Sequence, residues 1–234
     1  KKHTRHIGGS SCGSAACCAS GIVPLAIGSD TGDSARKPAS YAGLVGFKPT
    51  WGRISRFGMF PFACSLDTVG YFTRSVFDSA LTLEVLAGKD KNDLTSSNKE
   101  ISKYTNYNTD VCGKRIAVIE EILNSITDKT VKETFNKQLD ELKQRGAVIN
   151  YVSMDISLCK AIYPTYIVIS CAESTSNNAC LDGVKFGKRA EGNSYEEVVI
   201  NSRSKGFSDP IKRRFIIGSY SLLKENQETI NTLS

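Results

Sequence analysis

Two glycine- and serine-rich segments bracket a helix built only from small residues, and this arrangement limits the fold more than any other feature of the chain. The first segment is Gly8-Gly9-Ser10-Ser11-Cys12-Gly13-Ser14; the second is Gly28-Ser29-Asp30-Thr31-Gly32-Asp33-Ser34-Ala35-Arg36. Between them, Ser14–Ser20 holds only Ser, Ala and Cys, which predicts a helix lying close on the layer beneath it, closed by Gly21. Flexible hydroxyl-bearing residues ahead of helix starts serve one of two ends. Their backbone N–H groups cradle an anion, or they present a nucleophile beside an oxyanion hole. The anion motifs do not match: neither segment has the lysine of G-x-x-x-x-G-K-[ST], and neither reads G-x-G-x-x-G. A nucleophile needs a base. Only two histidines exist, His3 and His6, both near the start. A lysine made neutral by desolvation is the other solution.

Short apolar runs predict strands at Ile22–Ile27, Leu44–Phe47 and Val69–Phe72, with a polar turn at Gly28–Ser34. Val76–Ala87 has helical spacing and stops at Gly88. Lys89–Asp110 is a polar loop. Arg115–Ile119, Thr130–Arg145 and Ala147–Val152 read as strand, amphipathic helix and strand, which predicts a parallel crossover. Leu158–Cys180 reads as a long, largely buried helix, followed by helices at Tyr195–Ser204 and Pro210–Glu228. The class is α/β around a mixed sheet.

At 234 residues, with 40% hydrophobic and 23% charged residues, the chain can bury a core without staples. No apolar run is long enough to span a membrane, so no membrane partner is expected. A net charge of +6 is mild and demonstrates no nucleic-acid partner. The eight cysteines (12, 17, 18, 64, 112, 159, 171 and 180) form no C-x-x-C pair; they read as buried free thiols of a reducing compartment, and no metal site is expected. The chain starts at Lys1 and stops at Ser234 inside a helical pattern, so both ends read as cut and an internal fragment is expected.

The ordered set G-G-S-S-x-G-S-A-A (Gly8–Ala16), G-S-D-T-G-x-S-x-R-x-P-A (Gly28–Ala39) and G-L-V-G-F-K-P-T (Gly43–Thr50) resembles the amidase signature family, with Ser10 and Ser34 separated by 24 positions. The resemblance implies an α/β amidase-signature fold: a mixed β-sheet core covered by helices on both sides, here incomplete at both ends. Residues 1–234 would be part of a single amidase domain. Its parts would be a Ser/Gly-rich catalytic core (1–88), a loop (89–110), and a strand–helix–strand unit with a helical substrate-pocket region (111–234).

The family hydrolyses amides with a Ser–cis-Ser–Lys triad. By resemblance, Ser34 is the acyl-forming nucleophile, and Ser10 relays a proton between Ser34 and the Lys. A hydroxyl suits that relay because it accepts and donates at once. The N–H groups of Thr31, Gly32, Asp33 and Ser34 would form the oxyanion hole, with Gly32 permitting the tight turn. Ser11, Asp30 and Arg36 belong to the same motifs and would support the site.

Thr50–Gly58, Phe62–Gly70 and the stretch from Glu191 to Gly218 are most similar to the glutamine-hydrolysing A subunits of tRNA-dependent amidotransferases. Those subunits release ammonia for the conversion of Glu-tRNA(Gln) to Gln-tRNA(Gln). Tyr166 and Arg214 take the positions of their glutamine-binding Tyr and Arg. The implied partners are glutamine, the B and C subunits, and tRNA mainly through one of those partners, with no DNA. No cofactor is expected in this chain, ATP and Mg being used by the partner. The expected location is the bacterial cytoplasm or an organelle matrix.

Departures from the family pattern are Asp33 and Cys12 where Gly is usual, and Ala42 where Cys is usual. Asp33 is expected to point away from the developing oxyanion, and Cys12 is read as packing. Lys1 and Lys2 lie too close to Ser10 to be the catalytic Lys, and the carboxylate for the glutamine amino group is expected beyond Ser234. The chain alone is therefore expected to be inactive. The alternatives are a stand-alone hydrolase of another small amide, and a catalytically dead scaffold.

Overall fold

A computed structural model describes residues 6–228 and residue 232; Lys1, Lys2 and His3, weighed above as bases, lie outside them. Contacts gather the described residues into two compact units, one formed by the chain up to Asn106 together with the chain from Tyr166, the other by Tyr107–Thr165.

The first unit is built on a three-stranded antiparallel sheet in the order β1 (Ala26–Ser29), β3 (Val69–Thr73), β2 (Val45–Phe47). Successive residues of the central strand β3 face opposite ways. Phe72, fully buried, meets Ala15 and Cys18 of α1 (Cys12–Ala19) and Ala35 and Ala39 at α2 (Arg36–Ala42). Tyr71, also fully buried, meets Ile54, Ala87 and Leu83 of α3 (Val76–Leu86). Helices thus cover both faces of this sheet, and the small residues of α1 and α2 let two helices share one side of it. The fit is tight: a β-carbon on Gly46 of β2 would lie 2.4 Å from the Ala39 side chain. Ser75 caps α3 by accepting from the Asp78 amide.

The second unit pairs β4 (Arg115–Ile119) with β5 (Val148–Val152) in parallel, joined through α4 (Glu120–Ser125) and α5 (Lys129–Gln144). This is the crossover that the sequence predicts. Asp128 caps α5 on the Val131 amide, and Leu139 is its buried residue. Helix α6 (Ile156–Asn177) begins in this unit and ends in the first, which also holds α7 (Tyr195–Gly206) and α8 (Asp209–Ser221).

Several expectations are corrected. The strand expected at Ile22–Ile27 begins only at Ala26, and Ile22 is 74% exposed. Gly21 takes a positive φ there, and Pro24 has no N–H for a ladder. Helix α2 is not anticipated by the sequence reading; its Pro38 sits in the first turn, where a missing N–H costs nothing. The short α4 is also not anticipated. Helix α6 is buried only in its second half, at Ser170, Cys171, Ala172 and Ser174, while Leu158, Ile162 and Tyr163 are exposed. Helix α8 stops at Ser221, ahead of a 3-10 turn at Lys224–Asn226.

None of the eight cysteines is in a disulfide, but only Cys18 and Cys171 are buried; Cys12, Cys64, Cys112 and Cys180 are exposed because no element covers them. Cys12 therefore does not serve as packing. Among the described residues no helix is long and apolar enough to cross a membrane.

Candidate active site

The β1–β3 register assembles the loop that follows β1. Ser29 pairs with Val69 as the last step of the ladder. One residue further, the Asp30 amide donates to the Thr68 carbonyl at 2.8 Å. One residue further still, the Thr31 hydroxyl donates to Asp67 Oδ1 at 2.6 Å. Asp30 is fully buried and its carboxylate closes the turn into α2. It accepts from the Ala35 and Arg36 amides at 3.1 and 3.2 Å, and from Arg36 Nε and Nη2 at 3.1 and 2.9 Å. Burial alone would raise the Asp30 pKa, but the Arg36 side chain and the two amides outweigh it and hold the carboxyl below its ordinary value. Arg36 in turn is held above its usual value by Asp30 and also donates to the Gly32 carbonyl.

Within this frame the N–H groups of Thr31, Gly32, Asp33 and Ser34 make no hydrogen bond among the described residues. Four consecutive donors held by their neighbours and left without an internal partner suit a developing oxyanion. Asp33 turns outward onto Lys37, with a 3.0 Å ion pair, and its φ is negative, so no glycine is required at that position. Gly32 does not take a positive φ either. Its lack of a side chain serves space instead: a β-carbon there would lie 2.9 Å from Cζ of Tyr166.

The first motif is stitched to the second by Ser11. Its amide donates to the Ser34 carbonyl at 3.1 Å, and its hydroxyl donates to the Ser29 carbonyl and accepts from the Ser29 amide, both at 3.1 Å. Gly28 makes room for this, since a β-carbon would come within 2.8 Å of the Ser11 side chain. Ser10 precedes Ser11 across a cis Gly9–Ser10 peptide bond and is exposed. Neither the Ser10 nor the Ser34 hydroxyl makes a hydrogen bond among the described residues.

Tyr166 stands in the first unit, on the half of α6 that packs there. Arg214 comes from α8, which meets α6 at Gly218: a β-carbon on Gly218 would lie 2.1 Å from the Cys171 carbonyl and from Thr175 Oγ1. One turn before Gly218, Arg214 lies near Cys171, whose thiol burial pushes up against the opposing pull of the Arg214 charge. Arg214 also rests over the Phe62 ring, 5.7 Å from its centroid. It makes no ion pair or hydrogen bond among the described residues, so its fork is free for an anion. The structure therefore brings Ser11, Asp30, Thr31–Ser34, Arg36 and Tyr166 together directly. Arg214 bonds to none of the loop residues and approaches them only through Phe62.

Sequence reasoning missed three residues. Asp67 holds Thr31, and also accepts from the Phe62 and Ala63 amides at 2.8 and 3.0 Å. Glu173 of α6 accepts from the Ser65 amide at 2.9 Å and from its hydroxyl. Asn177 donates to the Phe62 carbonyl at 3.1 Å. The one available signal was a carboxylate two residues before a strand that must pair with the strand entering the turn. Among the described residues no three His, Cys, Asp or Glu side chains cluster to hold a metal ion.

Known proteins share this sequence and fold. The A subunit of glutamyl-tRNA(Gln) amidotransferase from Lactobacillus delbrueckii subsp. bulgaricus is 45% identical over 216 residues, covering 92% of this chain and 45% of that protein. Its counterpart of the same name from Staphylococcus saprophyticus is 44% identical over 222 residues, covering 94% and 45%. The crystal structure of the corresponding glutamyl-tRNA(Gln) amidotransferase A subunit from Thermotoga maritima matches with a TM-score of 0.72 at 35% identity, over 97% of this chain and 45% of that one. A bacterial aryl acylamidase shares the fold at a TM-score of 0.74 and 23% identity, over 97% and 44%. The chain thus spans about half the length of the relatives it matches. The profile of the family described as Amidase matches residues 2–233, the stretch that contains both serine motifs and the loop between β1 and α2, and the chain belongs to that family.

Proposed function

We propose that this chain is part of a glutamine amidohydrolase, the A subunit of a glutamyl-tRNA(Gln) amidotransferase. The observation that supports it most is the row of four amides, Thr31 to Ser34, without a partner among the described residues, with Gly32 of the row lying against Tyr166. Ser34 Oγ attacks the side-chain amide carbon of glutamine. Its proton passes to Ser10 and on to a lysine supplied by the additional length of chain that the relatives have. The carbonyl oxygen gains the charge and is received by the Thr31–Ser34 amides. Collapse breaks the C–N bond, and ammonia leaves with the returned proton. Water then releases glutamate from the acyl-Ser34 ester. Arg214 holds the α-carboxylate of glutamine by its planar fork, and Tyr166 lines the same pocket. Within a complex with B and C subunits, the ammonia passes to the partner that uses ATP and Mg to activate glutamate on tRNA. This chain itself needs no cofactor, and the complex works in the bacterial cytoplasm or an organelle matrix.

The test is glutamine-dependent ammonia release by the full-length product with its partners. Ser34→Ala removes at least about 10³-fold of the rate, Ser10→Ala a comparable share, and residues 1–234 alone show no turnover. Hydrolysis of a different small amide without response to glutamine would mark a stand-alone amidase. Absence of any turnover in the full-length complex would mark a scaffold.

A further inference from the structure

The loop Phe62–Asp67 touches three parts of the candidate site. Glu173 and Asn177 tie it to the helix of Tyr166, Arg214 rests on its Phe62 ring, and Asp67 ties it to the oxyanion loop. Asp67 is 3% exposed, and both carboxylate oxygens are engaged, Oδ1 by Thr31 and Oδ2 by the Phe62 and Ala63 amides.

Resting on the function proposed above, we propose that Asp67 is a positioning residue for amide hydrolysis, which fixes the Thr31–Ser34 amides by holding the Thr31 hydroxyl. The 2.6 Å O–H···O⁻ bond has the length of a strong charge-assisted contact, and burial keeps water from competing for it. Asp30 anchors the far side of the loop at Ala35 and Arg36, and its own amide anchors the near side. Thr31 is the first residue inside those anchors, and Gly32 after it has no side chain to restrain it. Loss of the Asp67 bond therefore removes the side-chain hold on Thr31 and leaves Arg36, through the Gly32 carbonyl, to restrain the rest of the loop. An oxyanion donor displaced by about 1 Å costs up to about 10²-fold in rate. Asp67 acts through Thr31, so its removal weakens the transition state more than substrate binding.

The test uses the full-length product with its partners and two readouts. One is the rate at which a fluorophosphonate phosphonylates Ser34, followed by peptide mass spectrometry. The other is kcat and KM for glutamine. Thr31→Val removes the hydroxyl and leaves Asp67 on its two amides, so it keeps the test clear of misfolding; Asp67→Asn is the partner variant. Each lowers kcat and the labelling rate by about ten- to a hundredfold with KM within about twofold. The double variant loses no more than the worse single one, as expected for one shared contact. Thr31→Ser recovers most of what Thr31→Val loses. Wild-type labelling rates in a Thr31→Val protein of unchanged Tm, or additive losses in the double variant, overturn the role of Asp67 alone. A wild-type protein whose Ser34 is not labelled and which releases no ammonia overturns both this role and the proposed function.

Discussion

Gly32 and the Tyr166 ring touch so closely that a single added methyl has no place: its carbon would lie 2.9 Å from Cζ and 3.1 Å from the phenol oxygen. The residue in the middle of the oxyanion loop is thereby fitted to a helix residue far along the chain. Gly32→Ala is expected to lower ammonia release by about tenfold or more, because ring and loop must move apart by a sizeable fraction of an ångström. Steady-state kinetics of the full-length product checks it, and an unchanged kcat/KM would show that the loop yields freely.

Arg214→Leu and Arg214→Lys separate charge from shape. With the fork lost, KM for glutamine is expected to rise by about tenfold or more in both variants while kcat changes less. Full rescue by lysine would mean that Arg214 acts as a point charge and not as a planar clamp.

Gly218→Ala forces a carbon to within 2.1 Å of the Cys171 carbonyl and Thr175 Oγ1. Overpacking of this kind costs about 1–3 kcal/mol. The melting temperature falls and, because Arg214 lies one turn away on α8, KM for glutamine rises as well. A variant as stable as the parent, with the parent's KM, would contradict the close α6–α8 crossing.

The Asp30–Arg36 pair predicts an acid-side loss of stability. The carboxyl of Asp30 is held below 3.8 in the folded chain, so its contribution is complete above that value and is lost as pH falls through the lower, folded pKa. Denaturant midpoints measured from about pH 6 down to about pH 3 should fall, and Asp30→Asn should flatten that fall. Arg36→Leu leaves a buried carboxylate without its guanidinium and costs about 2 kcal/mol, the modest end for charged hydrogen bonds because the Arg36 side chain is half exposed. A wild-type profile flat down to pH 3 would show that the pair adds nothing.

What the sequence revealed and what it hid divide along the range of the contacts. Asp30, Ser34 and Arg36 sit within seven residues of one another, so their closeness could be read as a motif. Helix α5 and its flanking strands were readable for the same reason, through local periodicity. Tyr166 and Arg214 were reachable only by resemblance, because a tyrosine on an apolar helix and an arginine in a basic run carry no local mark. Asp67 and Glu173 were invisible: the first meets Thr31 across 36 positions, the second meets Ser65 across 108. The apolar run at Ile22–Ile27 misled because hydrophobicity alone cannot say that Gly21 and Pro24 delay the strand.

The ladder that aligns Ser29 with Val69 also decides how long the chain may be at that place. One residue inserted between Asp67 and Val69, or deleted there, would keep every functional group in the sequence yet leave Thr31 facing a different neighbour. Substitutions in this corner are graded in their effects, but a change of length by one is not, since the side-chain alternation of a strand has no half step. The polar segment at residues 89–110 is counted in its own way, since Asp93 accepts from the Arg56 amide and the Lys99 and Glu100 carbonyls accept from Arg53, so a change of length there also shifts what holds the neighbouring loop.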